Sequence, residues 1–91
     1  MLKITHVHMT TTTDNTHERI AQVWVVDTTN NAGVSWTVDQ AVSHLNNGGK
    51  LYVVEPPRQI EVMVRSLNGR SFIQTVSDGA WSNNLLALPR Y

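Results

Sequence analysis

The sequence predicts a small α+β domain in which a strongly twisted antiparallel β-sheet carries one packed α-helix. Three observations lead there. Leu2 to Met9 and Ile20 to Asp27 are rich in β-branched residues, an Asn-Gly pair separates two alternating runs further on, and Val38 to about Asn47 has apolar residues at helical spacing. Residues 1–91 read as a single domain with no internal repeat or linker. A chain this short buries only roughly 60 to 65% of its unfolded surface, so a dimer or larger homo-oligomer is expected.

Leu2 to Met9 and Ile20 to Asp27 are bounded by polar clusters and form an expected antiparallel pair. Their connection, TTTTDNTHER, lacks helical periodicity and reads as a flexible loop. A turn from Thr28 to Gly33 leads to Val34-Ser35-Trp36, a short strand or the approach to a helix. Thr37 suits an N-cap: its hydroxyl can accept from an early helix amide, Gln40 can reach back, and Trp36 can staple against Ala41. Val38, Ala41, Val42 and Leu45 make one apolar stripe that must lie on the sheet, with Asp39, Gln40, Ser43 and His44 toward water and Gly48-Gly49 as the stop.

Leu51 to Val54 is a strand halted by Pro56-Pro57, since proline cannot donate to a ladder. Ile60 to Ser66 and Ser71 to Thr75 flank Leu67-Asn68-Gly69-Arg70, where Asn-Gly suits a two-residue type I′ turn. Pairing Leu67 with Arg70 sets Arg65 opposite Phe72 and Met63 opposite Gln74 on one face. Val64 then meets Ile73, and Val62 meets Thr75, on the other. The Val62, Val64 and Ile73 face is the expected core. The face with Glu61, Met63, Arg65, Phe72 and Gln74 mixes polar and apolar groups and suits a partner subunit, a pocket wall or water.

The chain closes with Phe72 to Tyr91, FIQTVSDGAWSNNLLALPRY. Leu85, Leu86 and Leu88 can anchor this segment as one helical turn ended by Pro89, holding Val76 to Asn84 against the sheet. Asp78 and Gly79 make a turn, and Asn83 and Asn84 offer carboxamides to backbone or ligand. Immobilising such a loop costs ~1 to 2 kcal/mol per residue in backbone entropy. It therefore either completes its own hydrogen bonds or builds a recognition surface.

Composition narrows the function classes. With no cysteine there are no disulfides, thiolate metal sites or thiol catalysis, and a reducing cytoplasm is compatible. Apolar runs fall far short of the ~20 residues that span a membrane as a helix. A formal charge of zero argues against a binder of long nucleic acid. The first 49 residues nevertheless set Lys3 and Arg19 against Asp14, Glu18, Asp27 and Asp39, whereas the remainder carries Lys50, Arg58, Arg65, Arg70 and Arg90 against Glu55, Glu61 and Asp78. A small anion would meet the second half more readily.

His6 and His8 alternate onto one strand face near His17, but no metal-binding spacing accompanies them, and exposed strand histidines are the simpler reading. No nucleophile elbow, phosphate loop or carboxylate pair is present, and no residue nominates itself as a general base, so no enzyme, metal or cofactor is expected. Trp24 and Trp36 suit a core or an interface. Trp81 lies in a polar loop, where stacking on a ligand and packing against a subunit are equally available.

The pattern Phe72-Ile73-Gln74-Thr75, Asp78-Gly79 and Asn84-Leu85-Leu86-Ala87-Leu88-Pro89 resembles a family of small bacterial and phage proteins classed as a domain of unknown function, over nearly the whole chain. It is also similar to phage Thoeris anti-defence sponge proteins. Those are oligomers that sequester cyclic ADP-ribose immune signals and, in some members, cyclic oligonucleotides. The resemblance implies non-enzymatic nucleotide binding in the host cytoplasm, in a pocket between subunits that draws on Gln74, Thr75, Asp78, Ser82, Asn83 and Asn84. Stacking would fall to Tyr52, Phe72 or Trp81. The family usually has Arg where this chain has Gln74; Arg65, diagonal to it, and Arg70, further up the hairpin, are the candidate substitutes, and without either the ligand differs from the family's usual one. A protein-interaction module without a nucleotide ligand, and a hydrolase or lyase acting on the same messenger, are the other classes.

Overall fold

Local turn and cap chemistry sets most of the connectivity. A computed structural model describes residues 1–9, 20–55, 57–67, 69–77 and 79–91. In chain order the elements are β1 (Leu2–Met9), β2 (Ile20–Asp27), β3 (Ala32–Thr37), α1 (Val38–Asn46), β4 (Leu51–Glu55), β5 (Arg58–Leu67), β6 (Arg70–Ser77) and β7 (Ala80–Ser82). They build one seven-stranded sheet in the order β3-β2-β1-β4-β5-β6-β7.

The expected α+β, all-antiparallel arrangement is corrected in two respects. Among the described residues the domain is predominantly β, with a single nine-residue helix, and its sheet is mixed because β1 and β4 run parallel, meeting at Lys3 and Tyr52. Parallel neighbours need a long crossover. Here β2, β3 and α1 together provide it, a relation no local pattern encodes. The segment Ala80–Ser82, read as loop, is the edge strand β7 paired to β6.

The hairpin register holds as the Asn-Gly turn requires. Leu67 pairs with Arg70, Arg65 with Phe72, Met63 with Gln74, Val64 with Ile73 and Val62 with Thr75. Gly69 has a φ of 76°, a left-handed value that glycine adopts without strain. Asn68 itself, like the connection 10–19, lies outside the described residues.

The capping box also forms. Gln40 N–H donates to Thr37 Oγ1 at 3.1 Å, and Thr37 N–H donates to Gln40 Oε1 at 2.8 Å. α1 lays Ala41 fully into the core, with Val38, Val42 and Leu45 packed around it. Beneath lie Ile4, Val7, Val23, Val25, Leu51, Val53, Val62, Ile73 and Leu85. Val64, on the expected core face, is only half-buried: it lies beside an open hollow at the end of α1, lined also by Leu45, Gly48 and Gly49. His44, expected in water, is instead half-buried: its ring lies 5.1 Å from that of Trp36 and fills the space above Gly49, where a Cβ would meet the imidazole.

The sheet face away from α1 has its own packing. Trp24 on β2 lays its indole across Gly33 of β3, where an added Cβ would come within 2.7 Å of Nε1. Gly33→Ala should therefore displace the indole and cost roughly 1 to 3 kcal/mol, as overpacking generally does. The chemical denaturation midpoint checks this, alongside a shift in tryptophan fluorescence.

Candidate functional site

The β5–β6–β7 meander arranges most of the expected site residues, and strand alternation divides them between its two faces. Tyr52, Arg65, Phe72, Gln74 and Trp81 point away from α1, because Tyr52 pairs with Glu61, Arg65 with Phe72 and Trp81 with Val76. Thr75 and Ser82, which pair with each other, point the other way.

On the open face Arg65 is the centre. Its Nη1 donates to Gln74 Oε1 at 2.7 Å, and its Cζ sits 4.9 Å from the centroid of the Trp81 ring. Gln74 Nε2 donates onward to the Ser82 carbonyl at 3.2 Å. Gln74 is 6% exposed and Phe72 4%, whereas Trp81 keeps 43% of its surface in water. Both ends of the Gln74 carboxamide are thus engaged. It braces the guanidinium.

A guanidinium has five N–H donors, and among the described residues no carboxylate stands within ion-pair distance of Arg65. The arrangement can accept an anion beside an exposed aromatic surface. Tyr52 is not part of it: it lies opposite Glu61, four residues along β5 from Arg65, or roughly 13 Å at strand rise.

Thr75, Ser82 and Asn84 form a closed network. The fully buried Thr75 hydroxyl accepts from Asn84 N–H at 3.2 Å and donates to the Ser82 carbonyl at 3.1 Å. Ser82 Oγ lies 2.7 Å from it and donates to Asn84 Oδ1, while Asn84 Nδ2 donates to Glu55 Oε1 at 2.8 Å. These groups satisfy one another. Asn83 is exposed, and its carbonyl accepts from Ala87 N–H at 3.2 Å. Asp78 lies outside the described residues.

That network explains why the closing segment is pinned. Leu85 is fully buried below it, and Ala87 N–H to Asn83 and Leu88 N–H to Leu85 close a single turn. The chain then joins β1 in parallel: Val7 N–H donates to the Pro89 carbonyl at 3.0 Å, and Tyr91 N–H to the Val7 carbonyl at 3.2 Å. Tyr91 ends edge-on to Trp24, with ring centroids 6.0 Å apart, and its hydroxyl is 2.7 Å from Ser35 Oγ.

Sequence reasoning missed this second aromatic group, which His6 and His8 also flank. The alternation of those histidines was its only signal. His17 lies outside the described residues, and among the described ones no three His, Cys, Asp or Glu side chains gather to hold a metal. Nor, among them, is any helix long and apolar enough to cross a membrane.

Fold and site together define a small, single-sheet β domain that presents a braced guanidinium and an indole on its open face. Residues 3–89 match the family described as Protein of unknown function (DUF3892), and the chain belongs to that family. No curated protein and no solved structure matches the chain.

Proposed function

We propose that the protein is a non-enzymatic binder of small cyclic nucleotide signals, cyclic ADP-ribose isomers or cyclic oligonucleotides, which it sequesters without turnover in the manner of an anti-defence sponge acting in the host cytoplasm. The observation that carries this reading is the Arg65–Trp81 pair: a cation with no carboxylate partner among the described residues, stacked on an exposed indole and braced by Gln74. A base stacked on an aromatic side chain contributes ~1 to 3 kcal/mol, and the remaining guanidinium donors suit a phosphate edge. The similarity of the closing motif to sponge proteins points the same way.

Of the implied contacts, Thr75, Ser82 and Asn84 serve this reading as the scaffold that positions β7, Arg65 and Trp81 as the ligand surface, and Gln74 as the brace beneath it. Met63 and Leu67 are exposed on the same face of β5, which favours a protein-interaction surface as the second reading.

Thermal denaturation against cyclic ADP-ribose isomers and cyclic di- and trinucleotides distinguishes them. Ligand at a hundred times its dissociation constant should add ~2.7 kcal/mol and raise Tm by several degrees, with intact ligand recovered after heating. Arg65→Ala and Trp81→Ala should each abolish most of that shift while unfolding cooperatively without ligand. A panel that leaves Tm unmoved moves the assignment to protein interaction. Altered ligand would make the protein an enzyme.

A further inference from the structure

The two edges of the sheet differ. β7 is three residues long and is followed by the Asn84 turn, so it offers little to an added strand. β3, at the other edge, pairs with β2 through six consecutive residues without a bulge, from Gln22–Thr37 to Asp27–Ala32. Its far side therefore carries a regular row of backbone donors and acceptors. Sheet proteins blunt such an edge with charge, proline, a bulge or shortness. Ala32-Gly33-Val34-Ser35-Trp36-Thr37 has none of these, and every residue of it except Trp36 is exposed.

We propose that the β3 edge is a self-association site, at which β3 of a second copy of this chain adds antiparallel across a twofold axis and joins two sheets into one. Three features select a second copy. β3 has no charge, so two of them meet without repulsion. In an antiparallel pair, residues directly opposite lie on one face, so Val34, 49% exposed, meets an apolar Val34 or Trp36 of its mate. On that face a cavity of about 170 Å³, lined by Leu2, Val25, Asp27, Asn30, Val34 and Trp36, opens beside the strand within reach of the mate's side chains.

An antiparallel β3–β3 contact across a twofold axis uses the same strand on both chains, so it is isologous and closes as a dimer. A chain of this size, with its thin core, gains the most from such pairing. The contact lies at the opposite end of the sheet from Arg65 and Trp81, so it does not depend on the proposed ligand.

Sedimentation velocity of the full chain, from low micromolar to several hundred micromolar, should give a dimer. Val34→Lys, which sets a charge on the edge, should weaken association by at least about tenfold while the far-ultraviolet spectrum is retained. Hydrogen exchange of wild-type β3 amides should slow as concentration rises, a readout that needs no variant. A chain that stays monomeric throughout, a Val34→Lys protein that dimerises as wild type does, or β3 exchange independent of concentration would each overturn the proposal.

Discussion

Thr75→Val should lower stability by about 1 to 3 kcal/mol and Tm on the order of 5 to 20 °C. Valine fills the same space, so nearly all of the loss comes from polar groups left behind. The buried Thr75 hydroxyl accepts from Asn84 N–H, donates to the Ser82 carbonyl and touches Ser82 Oγ. Deleting it strands the Asn84 N–H, while the Ser82 carbonyl keeps Gln74 Nε2 and Ser82 Oγ keeps Asn84 Oδ1. An unmet buried donor or acceptor costs roughly 1 to 3 kcal/mol, more than the bond itself contributes net. Thr75→Ser keeps the hydroxyl and loses one methyl, so it should cost no more than about 1.5 kcal/mol. Equal losses in the two variants would mean that packing, not the network, holds β7 in place.

Leu85→Ala should cost about 2 to 5 kcal/mol, as removal of a fully buried leucine does. Its local signature is as telling as its size. Leu85 anchors the turn from which residues 89–91 reach β1, so the Val7 and Tyr91 amides should exchange with solvent before those of the β5–β6 ladder. Uniform acceleration across the sheet would instead make the domain a single cooperative unit without a separable closing segment.

What was legible from sequence was short-range. The Asn-Gly pair fixed the β5–β6 register residue by residue, and Thr37 with Gln40 fixed the start of α1, because each is decided within a few bonds of the chain. The parallel β1–β4 contact and the addition of residues 89–91 to β1 join segments far apart in the chain, which periodicity does not encode.

The candidate site divides along the same line. The diagonal of Arg65 and Gln74 followed from the register, and their hydrogen bond realises it. Thr75, Ser82 and Asn84 carried the polarity of ligand contacts, yet they close on themselves, since a sequence lists donors and acceptors without saying which will meet. Burial of Phe72 and Gln74 was equally hidden. Both lie on a face that one strand pair alone leaves to water, and for Gln74 it is the pairing of β7 that brings the Ser82 carbonyl within reach of its amide.

The junction of residues 89–91 with β1 has a consequence for synthesis. Val7 leaves the ribosome long before its backbone partners, Pro89 and Tyr91. At ~5 to 20 residues per second, that leaves the nascent chain several seconds with β1 incompletely paired. Emergence of residues 89–91, not of the first hairpin, is thus the event that lets this fold close.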